Sequence, residues 1–117
     1  MTTLKLDNSP ATIDLFADRY NIYIYGGRGV KLNSFCVDLK NKSTGETVQV
    51  FEHNLKLRDF NGVRCFYFDI LKTGSYDISF HNFQTLEVKR SILPITSLFL
   101  PKIDLADIRI KIEKKHH

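Results

Sequence analysis

Alternation of hydrophobic and polar residues, rather than helical periodicity, dominates the chain. Over residues 20–25, Ile22 and Ile24 fall on one side of an extended segment, and Tyr23 and Tyr25 fall on the other. The same alternation predicts strands over residues 35–39, 47–51, 55–57, 63–70, 76–80, 86–88 and 108–112. These segments are rich in Ile, Val, Phe, Tyr and Thr, and Gly- or Asn-containing turn signals separate them. We therefore predict one all-β domain over residues 1–117, an antiparallel β-sandwich of about seven to nine strands.

The dipeptide Asn61-Gly62 is the sharpest turn signal, because a type I′ turn needs positive φ at both central positions. The resulting register places Phe60 opposite Val63, Leu57 opposite Phe66 and Leu55 opposite Phe68 on one face, and Lys56 opposite Tyr67 and Arg58 opposite Cys65 on the other. The second face is predicted to point outward, where a cation can lie against an aromatic ring.

A second hairpin is predicted at residues 43–45. It places Asn41 opposite Glu46, Leu39 opposite Val48 and Val37 opposite Val50.

Residues 14–19 are the one segment in which we expect a short helical turn. Residues 101–107 are predicted to form a loop or a single turn before the last strand.

The two cysteines lie off the main hydrophobic pattern. Cys36 shares a face with Asp38, and Cys65 shares a face with Tyr67 and Asp69. They are too few for a disulfide scaffold and lack zinc-type spacing, so both are expected to be free in a reducing compartment. A bridge between them stays open if their strands are neighbours.

The charge balance changes this picture little. The sequence has 17 Lys and Arg against 13 Asp and Glu, a formal charge of +4, which falls well short of a charge-dominated nucleic-acid arm. It lacks the run of about 20 apolar residues that a membrane-spanning helix needs, and its start has no secretory-signal pattern. We expect a cytoplasmic protein without a membrane association, and we assign no metal role to His116-His117.

The segment 72–80 contains a Gly followed two residues later by a Tyr, at the start of a predicted strand. Gly74 and Tyr76 resemble the tyrosine corner of immunoglobulin-like β-sandwiches, including fibronectin III-like and transthyretin-like modules. In that motif the Tyr ring folds inward and its hydroxyl bonds to nearby backbone. Lys72 replaces the usual acidic residue, Ile78 replaces the usual Cys, and the chain has no Trp. The resemblance implies an immunoglobulin-like sandwich and, by analogy, a binding role.

The residues with catalytic potential do not form a complete site in the sequence. Asp77, Ser79 and His81 share one strand face, but residues two apart on a strand lie about 6.5–7 Å from each other, beyond direct hydrogen-bond reach. The glycine-rich residues 26–29 lack phosphate-loop spacing, and His53 and His81 lack metal-ligand spacing with either cysteine. We predict no enzyme activity, no cofactor and no metal site.

Surface aromatic and basic residues are the remaining candidates. Tyr23 and Tyr25 supply amphipathic contact area for a protein partner or, by stacking, for a sugar. Lys56, Arg58 and Tyr67 could bind single-stranded nucleic acid, although Asp38, Asp69 and Glu87 are scattered among the basic residues and weaken this alternative. We predict a non-catalytic protein-binding or self-assembly module that acts through strand edges and surface aromatics, with a carbohydrate-binding sandwich as the first alternative.

Overall fold

The computed structural model describes residues 2–6, 10–27, 29–59, 62–89 and 107–115. Twelve strands lie in these residues: β1 (Thr2–Lys5), β2 (Ala11–Leu15), β3 (Asp18–Tyr25), β4 (Gly29–Lys31), β5 (Cys36–Asn41), β6 (Thr47–Val48), β7 (Phe51–Glu52), β8 (Arg58–Asp59), β9 (Gly62–Ile70), β10 (Gly74–His81), β11 (Glu87–Lys89) and β12 (Arg109–Lys114). One 3₁₀ turn, Phe83–Thr85, precedes β11.

All strand pairs are antiparallel and form two main sheets and a small third one. The larger sheet has the order β1-β12-β3-β9, with β7 and β8 both paired to the far side of β9. The smaller sheet has the order β2-β10-β5-β6, and β4 pairs with β11. The all-β antiparallel prediction is confirmed. The twelve described strands exceed the predicted seven to nine, partly because the predicted strand 47–51 is divided into β6 and β7.

The two main sheets share one hydrophobic core. Phe35 lies between them, with ring centroids 6.0 Å from Phe66 of the larger sheet and 6.0 Å from Phe80 of the smaller one. Ile22 and Phe68 are completely buried in this core. Removing a ring such as that of Phe68 would cost about 3–5 kcal/mol of stability, because the cavity adds to the lost burial.

Two connections cross between the sheets side by side, and a buried tyrosine holds each one. The Tyr20 hydroxyl accepts a hydrogen bond from Phe16 N and donates one to Phe16 O, both at 3.0 Å, while the Tyr76 hydroxyl donates to Lys72 O. Ala17 N donates to Thr73 Oγ1 at 2.9 Å and so joins the β2–β3 connection to the β9–β10 connection.

The helical turn predicted over residues 14–19 is wrong. This segment instead contains the end of β2, a bend and the start of β3. Leu15 and Tyr20 are both buried, but they belong to different sheets, and a sharp reversal over two residues brings both side chains into the shared core.

The hairpin predicted at residues 43–45 is confirmed in register. Leu39 lies opposite Val48, and Asn41 N donates to Glu46 O at 2.8 Å. Gly45 has φ 74°, a left-handed conformation that glycine adopts without a steric cost. The predicted pair of Val37 and Val50 is absent from the described strands, because β6 ends at Val48.

The register predicted around Asn61-Gly62 is wrong. Residues 60 and 61 lie outside the described residues, but Asp59 pairs with Gly62 and Arg58 pairs with Val63. His53 N donates to Cys65 O, and Arg64 N donates to Leu57 O, so residues 54–56 bulge away from β9. The predicted partners Leu55 and Leu57 are consequently exposed rather than buried.

The position predicted for Cys65 is also wrong. The pairing of β9 with β3 passes from Phe66 opposite Ile22 to Arg64 opposite Tyr23 and skips Cys65. This β-bulge turns Cys65 to the same side as Phe66, where its side chain is completely buried. Cys36 is exposed, as predicted, and both cysteines are free. Residues 101–106 of the predicted loop lie outside the described residues.

Candidate functional site

The outer face of the larger sheet combines aromatic and basic surface residues. We call it the tyrosine face. Its members are Lys5 of β1, Arg109, Lys111 and Glu113 of β12, Lys115 directly after β12, Arg19, Asn21, Tyr23 and Tyr25 of β3, Arg64, Tyr67 and Asp69 of β9, and Phe51 of β7. They share a face because the residues that alternate with them, such as Ile22, Ile110 and Phe68, are buried in the core.

Tyr23 and Tyr25 lie side by side and half-buried on this face. Their ring centroids are 6.1 Å apart, and the planes are tilted by 48°. Lys111 Nζ lies 4.9 Å from the Tyr25 ring centroid and 3.5 Å from its hydroxyl. A Cβ atom at Gly62 would come within 2.9 Å of the Tyr25 ring, so glycine leaves the space in which this ring lies. The binding role of the two tyrosines stays a prediction.

Tyr67 belongs to a second aromatic group at the β7 side of the face. Its ring centroid is 5.2 Å from that of Phe51 and 4.8 Å from that of His53, and the Arg19 guanidinium lies 5.2 Å from it. His53 Nε2 is 3.0 Å from the Oδ1 atom of the buried Asn21. Burial lowers the pKa of His53, and the nearby cations Arg64, Lys56, Arg19 and Lys115 lower it further.

The predicted contact of Lys56 and Arg58 with the Tyr67 face is wrong. Lys56 lies in the bulged segment, where its Nζ contacts Glu52 at 2.8 Å and donates to His53 O. Arg58 is opposite Val63, whose side chain faces the core. The Arg58 side chain therefore lies on the core side of the sheet and not on the tyrosine face. Arg19 takes the predicted place of a cation beside Tyr67.

Cations outnumber carboxylates on the tyrosine face. The cations are Lys5, Arg19, Arg64, Arg109, Lys111 and Lys115, and the carboxylates are Asp69 and Glu113. The surplus of four equals the formal charge of the whole chain. Asp69 is bound by Arg19 at 2.6 Å, and this hydrogen bond lowers the pKa of Asp69.

Arg64 has one buried guanidinium nitrogen without a partner in the described part of the chain. Its Nε is buried and has no hydrogen-bond partner among the residues that the structure describes. It lies opposite Tyr23 near the centre of the face.

The outer face of the smaller sheet has the opposite character, and we call it the aspartate face. Asp14 accepts a hydrogen bond from Ser75 at 2.6 Å, Asp77 accepts one from Thr12 at 2.7 Å, and Asp38 lies 2.6 Å from His81 Nε2. Lys40 of β5 lies on the same face, and so does Lys42, whose N donates to Ser75 O at 2.9 Å.

Ser79 and His81 approach more closely than the sequence predicted. Ser79 Oγ lies 3.4 Å from His81 Nε2, so the expectation that they stay beyond hydrogen-bond reach is wrong. The same Nε2 atom contacts Asp38. A serine–histidine–aspartate relay needs the serine and the aspartate on different ring nitrogens, and this arrangement places both on one.

Three further features bear on possible chemistry: metal-binding groups, a cleft and a buried thiol. Within the described residues, no group of three or more His, Cys, Asp and Glu side chains is arranged to hold a metal ion. An open cleft of about 480 Å³ beside β2 is lined by residues that include Leu15, Phe16, Tyr20 and Lys114. Burial raises the pKa of the Cys65 thiol to about 12, which keeps it protonated at neutral pH.

Sequence reasoning missed Arg19, Arg64 and Lys111 as neighbours of the tyrosines. Alternation along β12 places Lys111 on the side opposite its isoleucines, which is a usable signal. The sequence did not indicate that β12 pairs with β3, because these strands are distant in sequence.

Comparison with protein-family models, curated proteins and solved structures found no match to this chain. None of the described helices is long and apolar enough to cross a membrane.

Proposed function

We propose that this chain is a non-catalytic binding domain that takes an anionic partner on the tyrosine face. The observation that carries the proposal is the group of rings and cations at the centre of the face, where Arg64 and Lys111 flank the half-buried ring of Tyr23. A partner that supplies oxygen acceptors would pair with these cations and cover the rings.

The sequence left three partner classes open: protein, carbohydrate and single-stranded nucleic acid. The surplus of cations on the tyrosine face favours an acidic partner over a neutral sugar. A carbohydrate would stack on Tyr23 and Tyr25 without using Arg64 or Lys111, and binding of neutral glycans on an array would support that alternative.

We further propose that the two main sheets form an immunoglobulin-like sandwich. The neighbours β3-β9-β7 and β5-β10 match the order of strands B-E-D and C-F in that fold, and Tyr76 lies at the start of the F-like strand. A departure is β12, which lies beside β3, whereas β2 takes the place beside β10.

We also propose a cytoplasmic location. The free, exposed thiol of Cys36 supports it, because reducing compartments keep such cysteines from pairing.

A photo-crosslinking experiment tests the proposed binding face. A photoreactive residue is placed at Tyr23 in one variant and at Asp77, on the aspartate face, in a control variant. We expect a crosslinked partner from native extract at position 23 only, and we expect it to disappear when Arg64→Glu is added. Equal crosslinking at both positions, or none at position 23, would contradict the proposal.

Self-assembly through a strand edge is a second candidate. Within the described residues, β2 pairs only with β10, and the exposed Phe16 follows it, with 66% of its surface accessible. A second copy that added a strand at this edge would cover Phe16. Light scattering across a range of concentrations should then show a dimer that Phe16→Ser abolishes, and a strict monomer removes this candidate.

A further inference from the structure

We infer that the anionic partner of the tyrosine face is a single-stranded nucleic acid. The inference rests on the proposed function, because it names the ligand of the same face. It is carried by the way in which aromatic rings and cations alternate across neighbouring strands.

Each group of rings on the tyrosine face has a cation beside it. Arg64 and Lys111 flank Tyr23 on β9 and β12, and Lys111 Nζ also lies over the Tyr25 ring. Arg19 lies over Tyr67 at the far end of the face. A single strand repeats a flat base and a charged phosphate in every nucleotide, so interleaved rings and cations match both of its components.

The dimensions of the face suit a short segment. From Arg19 to Tyr25, β3 extends for about 20 Å, and its neighbours on both sides widen the face. This length accommodates about four nucleotides, the lower end of the site sizes known for single-strand-binding sheets.

The charge objection raised by the sequence is reduced in the structure. Asp38 lies on the aspartate face, and Glu87 belongs to the small sheet of β4 and β11. Asp69 does lie on the tyrosine face, but Arg19 binds it with two hydrogen bonds.

A single strand fits this face better than a duplex or an acidic protein. A duplex keeps its bases stacked inside, and a flat sheet face cannot enter its grooves to reach them. An acidic protein surface would pair with the cations and could cover the rings, but it does not offer a flat base for each ring to stack on. Stacking is the interaction that uses Tyr23 and Tyr25 as well as Arg64.

Fluorescence anisotropy with a labelled oligothymidine of about 12 nucleotides tests the inference. If about four phosphates are contacted, raising NaCl from about 50 to about 200 mM should weaken binding about 50-fold. We expect Arg64→Glu and Lys111→Glu each to weaken binding at least about tenfold, and the pair Tyr23→Leu and Tyr25→Leu to do the same. The pair Tyr23→Phe and Tyr25→Phe should keep the affinity, because the rings remain.

Lys40→Glu is the matched control, because it makes the same charge change on the aspartate face. It should leave the affinity within about twofold at moderate salt. Circular dichroism of every variant shows whether the sheets remain folded. An equal loss in Lys40→Glu, a tyrosine pair without effect, or equal binding of the matching duplex would overturn the inference.

A polyglutamate peptide separates this inference from the proposed function. If the peptide binds and Arg64→Glu weakens it, while the oligothymidine does not bind, the tyrosine face takes anions and only the nucleic-acid inference fails. If neither probe binds at low salt, the inference fails, and the crosslinking at position 23 decides whether the proposed function fails with it.

Discussion

Two adjacent side chains, Arg64 and Cys65, owe their opposite environments to a single extra residue in β9. Where the register skips Cys65, the thiol turns into the core and Arg64 stays on the outer face beside Tyr23. A regular strand would have placed the thiol outside, as the alternation predicts. The alternation in the sequence does not predict this bulge, which is seen only in the pairing of β9 with β3.

This burial predicts different reactivity for the two cysteines. With its pKa raised to about 12, Cys65 has almost no thiolate at neutral pH, while Cys36 is exposed. We expect iodoacetamide to label Cys36 in the native protein and Cys65 only after unfolding, as measured by mass spectrometry. In the Cys36→Ser variant, rapid native labelling would contradict the buried position, and full labelling in denaturant is the control.

At the scale of elements, prediction from sequence succeeded where partners are local. The β5–β6 hairpin has the predicted register, and Tyr76 makes the backbone contact that its motif implies. The hairpin that leads into β9 differs because its observed register does not follow the apolar pattern: Arg58 pairs with Val63, and Phe66 pairs with Glu52 of β7 rather than with Leu57. The tyrosine face depends on pairing between β3, β9 and β12, which no short segment encodes.

The link between the two sheet-crossing connections predicts a measurable contribution from Thr73. Thr73→Val keeps the shape but removes the acceptor of the Ala17 N–H. We expect the free energy of unfolding to fall by about 0.5–1.5 kcal/mol, measured by urea denaturation. Thr47→Val, at an exposed position of β6, is the control and should change stability by less than about 0.5 kcal/mol. Equal effects of the two substitutions would show that the link contributes nothing.

For the whole molecule, the notable property is that its two outer faces differ in charge. The tyrosine face has a surplus of cations, while the aspartate face carries Asp14, Asp38 and Asp77 against Lys40 and Lys42. The formal charge of +4 does not show how the charge is divided between the two faces. The composition indicates only a mildly basic protein, because the net charge sums over two faces that differ in charge.

This asymmetry predicts an orientation on charged surfaces. Lys111→Glu and Lys40→Glu change the formal charge equally, but only Lys111 lies on the cationic face. On a sulfonate cation-exchange column, we expect Lys111→Glu to elute at clearly lower salt than Lys40→Glu, because the protein binds the resin through its cationic side. Equal elution would mean that the net charge, and not its distribution, governs retention.

The pairing of β1 with β12 has a mechanical consequence. Thr2 lies opposite Ile112 in an antiparallel arrangement. The first residue of β1 and the last residues of β12 are therefore next to each other at one end of the sheet. A force that pulls these two ends apart would act along the interstrand hydrogen bonds and load them one pair at a time. β1 would then separate from β12 one residue pair at a time, at a lower force than is needed to disrupt the core between the two sheets.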